Sequence, residues 1–232
     1  KKSKHHKGQD ILLPNWRKFT VKAQSRGKEL LLTLTDRDSK ESETILMTMG
    51  MSGYFKLTNT GDEEKHSHLI FYTDDGVSLS FVDVRRFGKW KQGAAWSDNR
   101  GPDPTSEYEE FVQHIHDNLQ KPAFNKPIHE ALMNQSYFNG IGNYLRAEII
   151  YRLETLNPQL SARDAIKVYP KILELCRDIP MQAYQSNGGS IKDWQNPFGK
   201  EDTFTMICYG NKGLMTNKID SNGRRFWYDP EW

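Results

Sequence analysis

The chain has 232 residues, 36% of them hydrophobic and 27% charged, which is enough for one large or two small domains with a hydrophobic core. It contains no run of about 18 apolar residues, which argues against a membrane-spanning helix, and its start, "KKSKHHKGQD", does not resemble a secretory signal. The two cysteines, Cys176 and Cys208, are too few for a disulfide framework or a four-cysteine zinc site, which fits a reducing compartment.

The formal net charge of +2 hides an asymmetry along the chain. Residues 1–28 carry nine basic side chains and one acidic side chain, a local charge of +8, so the remaining 204 residues sum to −6. A basic segment on a nearly neutral protein indicates a polyanionic partner. A solvated or tag-like terminus explains the same charge equally well.

Short runs of alternating apolar and polar residues predict strands in about the first 100 residues. They read "FTVKAQ", "KELLLTLTD", "TILMTMG", "YFKLTN", "HLIFYTDD" and "VSLSFVDV". Turn residues such as "NTGDEEK" and "DDG" separate them. This pattern predicts an antiparallel sandwich or barrel.

The apolar spacing becomes helical from Ser106 onwards. "SEYEEFVQHIHDNL" predicts a helix capped by Ser106, and "KPIHEALMNQS" predicts one with Pro127 at its first helical position. "NYLRAEIIYRL" has an apolar stripe of Leu145, Ile149 and Leu153, and one further helix is predicted over residues 161–185. The polar loop 186–203 is too long for a simple connector, and Asn222-Gly223 in "SNGRRFWYDPEW" predicts a final hairpin.

The Pro- and Gly-containing stretch "NRGPDPT", residues 99–105, marks the main predicted boundary. The division expected from the sequence is therefore a β-sandwich domain over residues 1–100, a helical domain with its loop over 101–203, and a hairpin over 204–232. The fold class is α+β.

Two glycine-containing motifs, "GMSGYF" and "DVRRFGKW", place Met51, Arg85 and Phe87 in loops that should leave the same sheet. Taken singly, a methionine or phenylalanine is more often a core residue. Arginines and lysines crowd around Phe87, however, and an arginine beside an apolar wedge is typical of proteins that fill the gap left by an unstacked base.

Three further positions are candidate contacts to phosphate. Lys28 follows a glycine in "SRGKEL", where it could reach a phosphate or simply be solvated. In "NGIGNYLRAEI", Gly140 and Gly142 precede Asn143 at a helix start, which suits either an anion or tight helix packing. Arg224 in "NGRRFW" lies at a hairpin tip and could bind phosphate with both guanidinium nitrogens.

Together, "RGKEL", "GMSGYF", "FVDVRRFGKW", "FNGIGNYLRAEIIYRL" and "NGRRFWYDP" resemble the Fpg/Nei family of DNA glycosylases, most of all its endonuclease VIII-like 1 subgroup. The resemblance implies an N-terminal antiparallel β-sandwich, a helical domain with a helix-two-turn-helix, and a β-hairpin in place of a zinc finger. It implies a nuclear base-excision repair glycosylase and AP lyase that removes oxidised bases, acts as a monomer on damaged double-stranded DNA, and needs no cofactor or metal.

The resemblance also assigns roles to residues. It makes Met51, Arg85 and Phe87 the void-filling residues, and it makes Lys28, Asn143 and Arg224 the phosphate-binding ones, with Lys28 also supporting catalysis. The loop 186–203 would cover the everted base.

The chain departs from the family at its start. The family's nucleophile is the amine of an N-terminal proline in a Met-Pro-Glu-Gly-Pro start, and a neighbouring glutamate is the acid and base. Here the first proline is Pro14, whose acylated nitrogen cannot attack a sugar. The printed chain is therefore expected to be inactive alone. Either it lacks its first few tens of residues, or it is a non-catalytic relative that binds damaged DNA; the wedge residues favour the first explanation.

Overall fold

The computed structural model describes residues 10–186 and 206–231. The chain divides into two compact units, an N-terminal unit Lys1–Ser97 and a C-terminal unit Asp98–Trp232. The predicted loop 186–203 lies outside the described residues except for Ser186.

The described part of the N-terminal unit forms two antiparallel sheets. The strands are β1 (Phe19–Arg26), β2 (Glu29–Asp36), β3 (Ser42–Thr48), β4 (Gly53–Asn59), β5 (Ser67–Tyr72), β6 (Val77–Asp83) and β7 (Lys89–Gln92). One sheet has the order β1-β2-β3-β7 and the other the order β4-β6-β5. The six strands predicted from alternation are confirmed.

The core of this unit lies between the two sheets. Alternate residues of β2 and β3 point inward, and Leu34, Ile45 and Met47 are fully buried. They belong to one cluster with Phe71 and Phe81 of the other sheet. Because a half-buried strand alternates with a period of two, the polar residues between them face outward.

In "DVRRFGKW" the loop that carries Arg85 and Phe87 ends before Lys89, which begins strand β7, a strand that was not among the six predicted. Trp90 is 3% exposed and meets the Phe81 ring edge-on at a centroid distance of 6.0 Å. Burial of this large aromatic side chain accounts for a fourth strand in the first sheet.

The C-terminal unit is helical in its described part and carries a hairpin. The elements are α1 (Tyr108–Asn118), a 3₁₀ turn (Pro122–Asn125), α2 (Ile128–Ala131), α3 (Asn143–Tyr151), α4 (Ala162–Val168), α5 (Lys171–Gln185), β8 (Thr216–Ile219) and β9 (Arg225–Tyr228). The α+β class and the final hairpin are confirmed. Phe226 and Trp227 of β9 belong to the helical core, so the hairpin is part of this unit.

Two predicted helix starts are wrong, and one predicted helix is divided in two. The first helix begins at Tyr108, and Ser106 makes no capping bond, because the Asp103 carbonyl accepts the N–H groups of Ser106 and Glu107 in a preceding turn. Pro127 precedes α2 and is not its first helical residue. The helix predicted over 161–185 is two helices, since Pro170, which has no N–H to donate, separates α4 from α5.

A buried carboxylate fastens the segment before the hairpin to α3. Glu148 is fully buried and accepts hydrogen bonds from the N–H groups of Ile207 (3.1 Å), Cys208 (2.9 Å) and Tyr209 (2.8 Å). The Arg152 guanidinium also donates to it at 2.6 Å. Glu148 therefore supplies a fixed acceptor to three consecutive backbone N–H groups.

Candidate nucleic-acid interface

The two wedge motifs leave the sandwich at the same end. Thr48, the last residue of β3, pairs with Lys89 at the start of β7. In the other sheet, Gly53 at the start of β4 pairs with Asp83 at the end of β6. Residues 49–52 and 84–88 therefore leave adjacent strand ends and lie beside each other.

The structure brings the three predicted void-filling residues together. The Arg85 guanidinium lies over the Phe87 ring, 4.6 Å from its centroid, and its Nη1 atom is 3.8 Å from the Met51 sulfur. Met51 is 78% exposed and Phe87 is 50% exposed. We call this cluster of Met51, Arg85 and Phe87 the wedge. Core residues of this type are buried, whereas these two large apolar side chains are exposed to water and contact an arginine. Such an exposed apolar surface is suited to an apolar partner outside the protein.

A buried carboxylate joins the two loops of the wedge. Asp83 is fully buried; its Oδ1 accepts the Ser52 hydroxyl at 2.6 Å and its Oδ2 accepts the Gly88 N–H at 2.8 Å. Ser52 Oγ accepts the Arg85 N–H at 3.2 Å. Asp83 and Ser52 were missed by sequence reasoning. The available signal was a carboxylate at the end of an apolar strand, directly before a basic loop.

The backbones of the two wedge loops approach each other closely at Gly50. Its φ is +66°, and a Cβ atom there would lie 2.8 Å from the Gly88 nitrogen and 2.8 Å from the Phe87 carbonyl carbon. Both the backbone angle and the contact therefore require glycine.

We expect Gly50→Ala to lower the free energy of unfolding by about 2 kcal/mol or more, since it adds a backbone clash to the cost of a left-handed alanine. Gly76→Ala is the matched control: its φ is +79°, but nothing lies within 4 Å of the added Cβ. Denaturant unfolding of both variants measures the difference. Equal losses would show that the close approach of the loops has no energetic weight.

Lys28 lies at the same end of the first sheet as the wedge loops. It is the exposed second residue of the two-residue turn between β1 and β2, after Gly27 at φ +57°. Leu30 pairs with Met47 in the neighbouring strand, which places this turn beside the end of β3. All four predicted contact residues of the N-terminal unit thus lie at one end of its sheets.

The two predicted contacts of the C-terminal unit are also neighbours. Asn143 is the first residue of α3, and its Nδ2 donates to the Arg225 carbonyl at 3.0 Å. Its Oδ1 is buried and has no hydrogen-bond partner among residues 10–186 and 206–231. Arg224, directly before Arg225, is exposed in the hairpin turn. Asn143 thus bonds to the hairpin through Nδ2, and anion binding at this helix start stays a prediction.

The sequence of this chain is similar to those of known DNA repair proteins. Residues 16–90 match the family model described as Formamidopyrimidine-DNA glycosylase N-terminal domain. Human Endonuclease 8-like 1 is 37% identical over 241 residues, which cover 90% of this chain and 61% of that protein. The chain belongs to the Fpg/Nei family. The formamidopyrimidine-DNA glycosylase of Acinetobacter baylyi is 32% identical, over 75% of this chain and 66% of its own.

Solved structures of the Fpg/Nei family share this fold. The Lactococcus lactis Fpg protein, solved with DNA containing N7-benzyl-Fapy-dG, has a TM-score of 0.73 at 24% identity, over 92% of this chain and 81% of its own. The Thermus thermophilus Fpg protein has a TM-score of 0.70 at 22% identity, over 92% and 82%. The predicted family is confirmed, and the chain spans 61% of the length of its human and mouse relatives.

The described residues provide neither a metal-binding cluster nor a membrane-spanning helix. Among residues 10–186 and 206–231, no three His, Cys, Asp or Glu side chains are grouped so as to hold a metal ion. Within the same ranges, no helix has the length and apolar character needed to cross a bilayer.

Proposed function

We propose that this chain belongs to a base-excision repair enzyme that removes oxidised bases from damaged double-stranded DNA and then cleaves the abasic strand. The exposed wedge is the observation that carries the proposal. Eversion of a nucleotide leaves a gap in the stacked duplex, and an apolar group inserted there replaces part of the lost stacking. Phe87 and Met51 supply apolar surface, and Arg85 places a positive charge among them.

The backbone contacts follow from charge and position. Lys28 is an exposed cation at the same end of the sheet as the wedge, and Arg224 is an exposed cation in a hairpin turn. Phosphate contacts of this kind fix the position of a duplex without reading its sequence. We assign Lys28, Asn143 and Arg224 to this role and place the activity in the nucleus. The exposure of Lys28 and Arg224 and the position of Asn143 at the start of α3 support the contacts. The similarity to human and mouse Endonuclease 8-like 1, which are eukaryotic DNA repair proteins, supports the location.

Borohydride trapping tests the lyase reaction. In this family a terminal amine displaces the base at C1′ and forms a Schiff base with the opened sugar. The full-length product of the gene, incubated with a lesion-bearing duplex and borohydride, should give a covalent protein–DNA adduct on a denaturing gel. The same duplex without the lesion should give none. Absence of the adduct on damaged DNA would refute the lyase assignment, and lesion-selective binding without an adduct would indicate a binding protein.

Truncation of the wedge should separate the two steps of the reaction. In the full-length product of the gene, we expect Phe87→Ala or Met51→Ala to slow base removal about tenfold or more, since about 1.4 kcal/mol of lost stabilisation of the everted state suffices. Cleavage at a preformed abasic site should stay within about threefold, because its sugar needs little eversion from a stacked pair.

Leu57→Ala is the control for the wedge variants, because Leu57 is an apolar side chain of the same unit, 65% exposed, on strand β4. Both rates should match those of the unmodified protein. An equal loss of both steps in the wedge variants would indicate general damage to the fold and would contradict the assigned role.

A further inference from the structure

The hairpin turn that carries Arg224 is organised by one buried carboxylate. Asp220 Oδ1 accepts the backbone N–H groups of Asn222 and Arg224, both at 2.9 Å. Its Oδ2 accepts Nη1 of Arg146 at 2.6 Å, and both side chains of this ion pair are fully buried. The same carboxylate therefore sets the shape of the turn and attaches it to α3.

Two more side chains hold residues on either side of Arg224. Glu130, which lies in α2, accepts the N–H of Ser221 at 3.0 Å and its hydroxyl at 2.6 Å. Asn143 donates to the Arg225 carbonyl, as described above. Positions 220, 221 and 225 are thus each bonded to a helix, and Arg224 lies between them with its side chain exposed.

Arg146 is enclosed on its other sides. Its Nη1 also donates to the His129 carbonyl at 3.0 Å, and its guanidinium lies 5.1 Å from the centroid of the Phe226 ring. Phe226 in turn stacks on the His129 ring at 4.7 Å. Nε and Nη2 of Arg146 have no hydrogen-bond partner in the part of the chain that the structure describes. A guanidinium held in this way has little freedom to move.

A gain in the stability of the fold does not account well for the buried ion pair of Arg146 and Asp220. Taking two charges out of water costs several kcal/mol, and apolar side chains of similar volume often do as well or better. A buried pair does restrict geometry: Nη1 of Arg146 reaches both the Asp220 carboxylate and the His129 carbonyl in this arrangement, and in the apolar interior the loss of either bond is costly.

We propose that Arg146 and Asp220 are positioning residues that hold Arg224 in one fixed arrangement, beside Asn143, so that its side chain can bind the DNA backbone. The proposal rests on the proposed function. Burial acts to raise the pKa of the Asp220 carboxyl, but hydrogen bonds from the Arg224 N–H and the Arg146 guanidinium outweigh it, so this pKa lies below its ordinary value. The carboxyl group is therefore charged at neutral pH, as the pair requires.

For the DNA affinity of Asp220→Asn, the proposal predicts a change opposite in sign to the one expected from net charge alone. Asp220→Asn removes a negative charge, which by itself strengthens binding to a polyanion. A displaced Arg224 would weaken it. Glu174→Gln, a neutralised exposed carboxylate in α5, controls for the charge change and should bind as tightly as the unmodified protein or slightly more tightly.

The test is a double-mutant cycle with Arg224→Ala. Binding is measured to a duplex with an abasic analogue that cannot undergo elimination, at several salt concentrations. Log affinity falls with log salt, and loss of one phosphate contact makes this negative slope less steep by about 0.9. We expect Asp220→Asn and Arg224→Ala each to weaken binding about tenfold. Each should also make the salt slope less steep by about 0.9. The combined variant should be within about twofold of Arg224→Ala alone, since both act on one contact.

Several outcomes would overturn the proposal. The first is an unchanged affinity in Asp220→Asn. The second is a loss of affinity in the combined variant equal to the product of the losses in the two single variants. The third is a weaker affinity of Asp220→Asn with an unchanged salt slope, which indicates only a smaller folded fraction. If Asp220→Asn does not fold, Arg146→Met with Asp220→Leu removes both charges without leaving one buried, and the same cycle applies. An unmodified protein that does not bind the duplex would overturn the proposed function as well. Binding with additive variants would overturn only the positioning role.

Discussion

Replacement of Glu148 by glutamine is expected to lower the free energy of unfolding of the C-terminal unit by about 3 kcal/mol. The fully buried carboxylate accepts three consecutive N–H groups, from Ile207 to Tyr209, and the Arg152 guanidinium. Glutamine has the same shape but only one acceptor oxygen, and its amide group would face donors. At least one buried N–H would lose its partner.

Denaturant unfolding and amide hydrogen exchange together measure this effect. Exchange at residues 207–209 should accelerate more than exchange in the core of α5, because the lost bonds are local to that segment. Glu174→Gln, at an exposed position of α5, should change stability by less than about 0.5 kcal/mol. If Glu148→Gln were as mild as this control, the buried carboxylate would not be anchoring the segment.

The second large effect is expected at Asp83. Asp83→Ala should lower the free energy of unfolding of the N-terminal unit by about 3 kcal/mol, because the Gly88 N–H and the Ser52 hydroxyl both lose their acceptor. It should also slow base removal as strongly as Phe87→Ala does, since the two wedge loops would no longer be joined. Base removal and cleavage of a preformed abasic site are measured at a temperature where the variant is folded.

Conservative and remote substitutions separate positioning from folding at this site. Asp83→Asn keeps one acceptor oxygen for Gly88 and should recover part of both losses. Asp62→Ala, an exposed carboxylate of the same unit, should change neither stability nor rate. A normal ratio of the two rates in Asp83→Ala would contradict a role for this residue in shaping the wedge.

The strand pattern could be predicted from the sequence because alternation is a local signal, and the wedge could be predicted because its two motifs resemble those of the Fpg/Nei family. Alternation identified β2 and β3, and the spacing of Met51, Arg85 and Phe87 next to glycines identified the loops. The residues that hold these loops could not be found in this way. A carboxylate at a strand end, such as Asp83, is usually solvated; its burial depends on Ser52, 31 residues away, which only the paired sheets bring near.

The buried charged residues of α3 were also missed because their partners are distant in sequence. Arg146 and Glu148 lie within "NYLRAEII", where a charge pattern predicts one exposed face, yet every residue from Leu145 to Ile150 is buried. Their partners lie about 60 to 74 residues further on, at Cys208 and Asp220. Helical periodicity carries no information about partners at that distance.

This separation in sequence has a consequence during synthesis. Asp220 lies 74 residues after Arg146, and Arg225 lies 82 residues after Asn143. At about 5 to 20 residues per second, roughly 4 to 15 s pass on the ribosome before the carboxylate that pairs with Arg146 has been made. During that interval α3 cannot complete its buried contacts, because the guanidinium still needs water or another acceptor. The helical unit thus acquires its final packing only when its last strand emerges.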